Sequence, residues 1–71
     1  MVISYHHVES SNIDQIGYDA DSQELRVKFN SGAEYKYSNV PGPVFADFLD
    51  ADSVGKFFAG NIKGQYEYER V

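Results

Sequence analysis

The sequence contains no cysteine and no tryptophan, and it has few basic residues. Without cysteine, the chain can form neither a disulfide nor a thiolate zinc site, so its composition leaves the redox compartment open. No apolar run approaches the roughly 18 residues of a transmembrane helix, and the N-terminus has no signal-peptide pattern. We therefore expect a protein without a membrane segment, and the cytoplasm is its default location.

Acidic residues outnumber basic residues by 11 to 6, which gives a formal net charge of −5. A general nucleic-acid-binding surface usually needs a positive field, so this charge disfavours such a function. The distribution of the basic residues weakens the exclusion, because three of the six fall on one side of a predicted hairpin: Arg26, Lys28 and Lys36. They form a small patch and not a basic groove.

The length of 71 residues predicts one domain spanning residues 1–71. A chain of this size buries only about 60% of its unfolded surface, so its stability margin is thin. Six tyrosines and five phenylalanines help, because each can cover a large apolar area. Residues 1–8 alternate only weakly, and we expect them to form either a loose leader or an additional edge strand.

The segment from Leu25 to Pro41 predicts a central β-hairpin. Apolar residues alternate with charged ones in Leu25-Val27-Phe29 and again in Ala33-Tyr35-Tyr37. The residues between them predict a three-residue loop with Gly32 in the left-handed conformation. This loop pairs the apolar residues on one face: Phe29 with Ala33, Val27 with Tyr35, and Leu25 with Tyr37. A two-residue turn would set apolar against polar residues along the whole ladder, so we reject it.

The opposite, outer face of the hairpin carries charged residues. The predicted register places Arg26 beside Lys36 and Lys28 beside Glu34. Gly17 of the preceding strand lies beside Arg26, and its missing side chain leaves a shallow spot on this face. Antiparallel sheets commonly expose one charged side, so this face is either solvated surface or the place where function lies on the sheet.

Residues 13–19 predict the strand before the hairpin. Ile16 and Tyr18 are in phase, and a bulge near Asp14 would bring Ile13 onto the same face. A four-residue loop at residues 20–23 then sets Tyr18 opposite Leu25 and Ile16 opposite Val27.

Two helices are predicted after the hairpin. Val40-Pro41-Gly42-Pro43 ends the third strand, because proline cannot donate a ladder hydrogen bond. Two apolar stripes at helical spacing follow, and they belong against the apolar face of the sheet. The stripes are Val44, Phe45, Phe48 and Leu49, and then Val54, Phe57, Phe58 and Ile62. Ser53 offers a side-chain cap for the second helix, and residues 65–71 are expected to form a strand or an extended tail.

These patterns predict an α+β fold with an antiparallel β-meander of three to four strands and two short helices packed on one face. The predicted core consists of large apolar or aromatic residues from the inner face of the sheet and from the helices that pack on it. They are Ile16, Tyr18, Leu25, Val27, Phe29, Tyr35, Tyr37, Phe45, Phe48, Leu49, Phe57, Phe58 and Ile62.

The chain resembles the KTSC domain, a short domain found at the C-terminus of some lysyl-tRNA synthetases and as a stand-alone bacterial protein. The fragments that carry the resemblance are Val8-Glu9-Ser10-Ser11, Ile16-Gly17-Tyr18-Asp19, residues 25–29, Tyr35-Lys36-Tyr37, Val40-Pro41, residues 51–58 and Ile62-Lys63. They cover nearly the whole chain from Val8 onward. The resemblance implies no established activity, and RNA binding is suggested mainly by the attachment to a synthetase.

No catalytic or metal-binding signature is visible, so the sequence predicts a non-enzymatic protein without a cofactor or a metal. His6 and His7 are neighbours, and on a strand they point to opposite faces and cannot chelate one ion together. Residue types used in acyl transfer are present at Ser10, Ser11, His6 and Asp19, but no nucleophile elbow, glycine-rich loop or paired-carboxylate spacing organises them. Serines before a strand more often make turn hydrogen bonds.

Two binding functions stay open. The first is protein–protein interaction or homodimerisation, because a domain this small has edge strands that can pair with another chain. The second is RNA binding through the outer sheet face, with cations on phosphates and an exposed tyrosine stacked on a base. The candidate contact residues are Arg26, Lys28, Lys36, Tyr66 and Tyr68. Tyr35 and Tyr37 are poor candidates for stacking, since the predicted register turns them inward.

Overall fold

Five strands form one antiparallel sheet with the order β1-β2-β3-β4-β5 in the computed structural model, which describes residues 3–71 apart from the side chain of Ser4. Met1 and Val2, part of the predicted leader or edge strand, lie outside the described residues. The strands are β1 (Ser4–His7), β2 (Ile13–Asp19), β3 (Glu24–Phe29), β4 (Glu34–Tyr37) and β5 (Tyr68–Arg70). Between β4 and β5 lie α1 (Gly42–Asp50), α2 (Val54–Phe57) and a π-helical turn (Phe58–Ile62).

The α+β class is as predicted, but the sheet has five strands and not three to four. Both segments whose state was open are strands: β1 pairs with β2, and β5 pairs with β4. Each is a short edge strand with one paired side, and only the N-terminal segment alternates weakly. Whether such a short segment forms a strand depends on pairing with a neighbouring strand, because intrinsic strand propensity depends strongly on context.

The predicted hairpin register is confirmed. Leu25 lies opposite Tyr37 and Val27 opposite Tyr35, and the Phe29 amide donates a 2.8 Å hydrogen bond to the Ala33 carbonyl. Gly32 has a φ of 97°, the left-handed conformation that the three-residue loop requires.

The predicted pairing of β2 with β3 is confirmed as well. Tyr18 lies opposite Leu25 and Ile16 opposite Val27, and a register shift between Ile13 and Gln15 marks the bulge. The extra residue turns Ile13 onto the inner face, where it is 1% exposed.

The core lies between the inner face of the sheet and the helices. Of the predicted core residues, six are buried: Ile16, Leu25, Val27, Tyr37, Phe48 and Ile62. Six others pack against them partly buried: Tyr18, Phe29, Tyr35, Phe45, Phe57 and Phe58. The buried set also contains four residues outside the predicted list, Val8, Ile13, Val40 and Val54.

Leu49 does not belong to the core, contrary to the prediction, because its side chain is 36% exposed. At 3.6 residues per turn it lies about 100° round α1 from the fully buried Phe48, at the border of the apolar stripe. The helical spacing of apolar residues therefore gave the correct face of α1 but overstated its width.

The second helix begins as predicted and ends differently. The Ser53 hydroxyl accepts a hydrogen bond from the Lys56 amide, so the predicted cap is present. After Phe57 the chain widens into the π-helical turn, which the Lys63 amide closes by donating to the Phe58 carbonyl at 2.8 Å. Within residues 3–71, no helix is long and apolar enough to cross a membrane.

Candidate binding groove

The outer face of the sheet holds a paired charge network. The Arg26 guanidinium donates to Glu24 Oε2 and, at 3.2 Å, to Glu34 Oε2. The Tyr5 hydroxyl donates to the same Glu34 oxygen at 2.6 Å. The side chain of Arg26 is only 22% exposed, and these two hydrogen bonds use two of its five N–H donors.

The pKa values of this network follow from its hydrogen bonds. The hydrogen bond from Tyr5, supported by those from Arg26, holds the pKa of Glu34 below its ordinary value. The hydrogen bond to Glu24 raises the pKa of Arg26, and burial with the nearby Glu34 raises that of Tyr5. Glu34 is therefore a carboxylate, and Arg26 is neutralised locally.

Tyr5 occupies the shallow spot that was predicted at Gly17. Tyr5 lies opposite Gly17 in the pairing of β1 with β2, yet its hydroxyl reaches Glu34 on β4. Neighbouring strands are about 4.8 Å apart, so the phenol must lie across β2, where Gly17 has no side chain. Gly17 is buried.

The other predicted cations of this face are less constrained. Lys36 Nζ lies 3.7 Å from Glu69 Oε2, and both side chains are well exposed. Lys28, opposite Glu34 in the register, makes no ion pair among residues 3–71. The three predicted cations thus do share one face, but this face carries carboxylates in similar number.

The inner face has a feature of a different kind: five aromatic side chains that contact one another in a closed circuit. The ring-centroid distances are 5.9 Å for Tyr68–Tyr35, 5.8 Å for Tyr35–Phe29, 5.5 Å for Phe29–Phe58, 5.8 Å for Phe58–Tyr37 and 5.7 Å for Tyr37–Tyr68. Four of these contacts are edge-to-face, the arrangement that the ring quadrupoles favour.

This circuit lines a groove of about 850 Å³. Its wall contains Ile13, Gly55, Ala59 and Gly64 beside the five rings, and its polar rim consists of Ser11, Asn12, Asn30, Ser31 and Lys63. We call it the aromatic groove. No carboxylate lines it, although the whole chain is strongly acidic.

The groove exists because the helical layer covers only part of the sheet. On α1, Phe45 stacks on Tyr18 of β2 at 4.9 Å and lies 6.0 Å from His6 of β1. Phe58 of the π-helical turn reaches β3 and β4 through Phe29 and Tyr37. Tyr68 of β5 remains 61% exposed beside these rings.

Charge is segregated on the two faces of β5. Arg70 lies opposite Tyr35, and Tyr68 lies opposite Tyr37, so both belong to the face that holds the groove. Glu69 lies opposite Lys36 on the outer face. The groove side of β5 therefore presents an arginine and a tyrosine, with Lys63 at the rim.

Burial raises the pKa of Tyr37 to about 12, with the neighbouring tyrosines Tyr68 and Tyr35 as smaller causes. Tyr37 is 4% exposed and forms the floor of the groove, so it is a neutral apolar surface at physiological pH.

The structure divides the predicted contact residues between two faces. Arg26, Lys28 and Lys36 lie on the outer face, whereas Tyr68 lies in the aromatic groove on the other side. Tyr66 is half-buried against the core. One ligand lying on a single face of the sheet therefore cannot contact both the three cations and Tyr68. The roles of these residues in binding stay predictions.

Sequence reasoning missed the groove itself. The alternation correctly predicts that Tyr35 and Tyr37 lie on the inner face of the sheet. It does not show whether the helices cover that part of the face. Tyr35 is only partly buried, because its ring lines the open groove. One signal was present: the C-terminal segment has tyrosines at alternate positions, Tyr66 just before β5 and Tyr68 within it.

The remaining candidate residues have structural contacts. Ser10 Oγ accepts hydrogen bonds from the amides of Asn12 and Ile13, the turn role that was predicted for these serines. The Asp19 carboxylate accepts a hydrogen bond from the Asp21 amide. His7 Nδ1 lies 3.3 Å from Asp14 Oδ1. No cluster of three potential metal ligands occurs in the described part of the chain.

Comparison with known proteins gives a consistent assignment. The model of the KTSC domain matches residues 9–66. A crystal structure of a KTSC domain protein from Yersinia pestis superposes with a TM-score of 0.96 at 36% sequence identity, and the alignment covers 99% of each chain.

Two kinds of relatives share this sequence. An uncharacterised protein of Stutzerimonas stutzeri is 43% identical over 65 residues, which are 90% of this chain and 92% of that protein. A lysine–tRNA ligase of Nostoc punctiforme is 38% identical over 63 residues, which are 89% of this chain but only 11% of the ligase. The same sequence pattern thus occurs in a protein of similar size and as a small part of a much larger enzyme.

Proposed function

The chain belongs to the KTSC domain family, and we propose that it is a non-enzymatic, cytoplasmic binding module that holds a protein partner in its aromatic groove. The observation that supports the proposal is the circuit of five contacting aromatic rings around an open groove of about 850 Å³. Tyrosine is among the residues that most often contribute the largest share of binding energy at protein interfaces.

Rigidity supports the same function. Four of the five rings belong to β3, β4 and β5, and the fifth, Phe58, contacts two of them. Each ring packs against two others, which restricts its rotation. A preformed aromatic surface loses little side-chain entropy when a partner binds, so more of the contact energy remains as affinity.

A second copy of the chain is one form that the partner can take. The two edge strands, β1 and β5, are the places where a sheet can continue into another chain. Both are short, and β5 carries charged residues, two features that limit uncontrolled edge pairing. We therefore propose that the groove contributes more to the binding affinity than the edge strands do.

RNA binding is the second candidate, and one observation favours it: the groove is lined without a carboxylate and has Lys63 at its rim. Aromatic rings beside cations are the usual means of holding single-stranded bases. The occurrence of the sequence in lysine–tRNA ligases supports this reading. The outer face is the weaker RNA surface, because Arg26 is paired with Glu24 and Glu34.

Site-specific photocrosslinking tests the proposal. A photoreactive phenylalanine analogue replaces Tyr68 in the groove, and a matched control replaces Leu49, which is exposed on α1 away from the groove. We expect a protein, identified by mass spectrometry, that is crosslinked from position 68 and not from position 49. The purified pair should then bind each other, and Tyr68→Ala should weaken the complex.

RNA is tested in parallel by titrating tRNA and oligouridine at two salt concentrations. Binding of RNA that falls with Lys63→Glu, together with no specific protein crosslink at position 68, would replace the first candidate by the second. The absence of both would refute a binding role for the groove.

A further inference from the structure

The edge of β5 that faces away from β4 has unused hydrogen-bonding groups. The Ser38 amide donates to the Glu67 carbonyl at 2.9 Å, and the Val71 amide donates to the Glu34 carbonyl at 2.8 Å. Residues of an antiparallel strand alternate between bonding to one neighbour and pointing away from it. The N–H and C=O groups of Tyr68 and Arg70 therefore point outward from the sheet.

No hydrogen bond within residues 3–71 uses this edge. β5 is the last strand in the sheet order, and no loop or side-chain hydrogen bond involves the backbone of Tyr68 or Arg70. Four backbone groups in register are thus available to an extended chain, in the way that strand addition requires.

The same two residues direct their side chains to the groove face. A strand added beside β5 would place alternate side chains next to Tyr68 and Arg70 and toward the aromatic groove. The residue opposite Tyr68 would meet aromatic rings, which favours an apolar side chain. The residue opposite Arg70 would meet a guanidinium, with Lys63 at the rim, which favours a carboxylate.

We propose that an extended acidic peptide segment of a partner adds to β5 as a sixth, antiparallel strand and places one apolar and one acidic side chain on the groove face. This inference rests on the proposed protein-binding function and names the chemistry of the partner. Antiparallel addition continues the pattern of the whole sheet. It also fixes the order of the motif: the acidic residue lies two positions N-terminal to the apolar one.

The length of β5 sets the balance of forces. Three residues allow only a short ladder, and the outward-pointing groups of Tyr68 and Arg70 provide four hydrogen bonds at most. The groove contacts must therefore supply much of the affinity, and both side chains of the motif should be required.

Three blocked pentapeptides test the proposal against the full chain by NMR titration. The first is acetyl-Thr-Asp-Thr-Phe-Thr-amide, which has the predicted order. The second has Asp and Phe exchanged. The third replaces Asp by Lys. We expect the first peptide to shift the amide signals of Tyr68 and Arg70, and the other two to cause no shift at the same concentration.

Backbone methylation separates strand addition from simple groove filling. In the proposed register the peptide N–H groups of Asp and Phe point to β5, whereas that of the central Thr points to solvent. N-methylation at Phe should weaken binding at least about tenfold, the equivalent of one lost hydrogen bond with its unpaired partner. N-methylation at the central Thr should weaken it by less than about twofold.

A charge exchange tests the role of Arg70. Arg70→Glu should weaken binding of the Asp peptide and strengthen binding of the Lys peptide. The matched variant Lys56→Glu changes an exposed residue of α2 that does not line the groove, and it should bind as the parent does. Circular dichroism of both variants establishes that they are folded.

The outcomes separate this inference from the proposed function. Equal binding of both N-methylated peptides, or equal binding of the exchanged order, overturns strand addition while groove binding stands. No binding of any peptide, when position 68 still crosslinks a protein, also overturns it. No peptide binding and no protein crosslink, or binding of oligouridine alone, overturns the protein-binding function itself.

Discussion

The hydroxyl of Tyr5 donates a 2.6 Å hydrogen bond to Glu34 Oε2, which links the first strand to the fourth across the outer face of the sheet. The two residues are 29 positions apart in the chain. Glu34 also accepts from Arg26, so one carboxylate ties together side chains from three strands. The outer face is therefore held together by polar contacts while the inner face carries the core and the groove.

Tyr5→Phe removes the hydroxyl of this link and leaves the ring. We expect the free energy of unfolding to fall by about 1 kcal/mol, the net value of a hydrogen bond in a partly exposed position. Urea denaturation followed by circular dichroism measures the change. Tyr68→Phe is the control, because the Tyr68 hydroxyl makes no hydrogen bond within residues 3–71. Equal stability of the two variants would show that the link contributes nothing.

Gly17→Val should be costly only while Tyr5 is present. Valine is normally preferred over glycine in a strand, but here its side chain would occupy the space where the Tyr5 ring crosses β2. We expect a loss of about 1–2 kcal/mol in the parent and little or no loss in a Tyr5→Ala background, so the double-mutant cycle shows coupling. Additive effects within about 0.5 kcal/mol would place the ring elsewhere.

Acid stability should depend on Glu34. Its pKa is depressed in the folded state by the hydrogen bonds from Tyr5 and Arg26, below its ordinary value of 4.5. A group of this kind contributes stability that is present above the unfolded pKa and is lost as the pH falls through the folded pKa.

Glu34→Gln should therefore be less stable than the parent at neutral pH, and the difference should shrink in acid. Urea midpoints measured from about pH 7 down to about pH 2.5 test this sign. The neighbouring variant Glu69→Gln, whose side chain is 76% exposed, is the control and should follow the parent closely. A difference between parent and Glu34→Gln that stays constant with pH would contradict the assigned hydrogen bonds.

Adjacent residues of α1 should differ sharply in their tolerance to truncation. Phe48 is 0% exposed and stacks on Phe57 at 5.4 Å, so Phe48→Ala should cost about 3–5 kcal/mol and leave the chain largely unfolded. Leu49 is 36% exposed, and Leu49→Ala should cost less than about 1 kcal/mol. Thermal melts of both variants measure the contrast, and a similar loss in each would restore Leu49 to the core.

The pattern of consecutive residues predicted the structure correctly where strands that follow each other in the sequence also pair in the sheet. The three-residue loop with Gly32, the bulge beside Asp14 and the Ser53 cap each depend on a few consecutive residues, and all three are present in the fold. The pairing of apolar residues across β3 and β4 admits only one register that keeps every apolar side chain on one face. Residue order alone therefore specified the meander and its two faces.

The candidate site could not be deduced in the same way. Alternation reports which face a side chain occupies, but it does not report how far the helices extend over that face. The end of the sheet at Tyr35 and Tyr68 stays open because the helical layer reaches only as far as Phe58. The same limit applies on the outer face: the strand pattern predicts Arg26 as a contact residue, but it does not show that Glu24 and Glu34 pair with it.

The amino-acid order by itself determined the class of fold, the register of three strands and the sides on which tyrosines and cations lie, because these follow from a two-residue period and short loops. Only the tertiary structure decided which aromatic rings remain open and which cations are already paired. Those outcomes depend on contacts between residues far apart in the chain, such as Tyr5 with Glu34 and Tyr35 with Tyr68, and no local period encodes them.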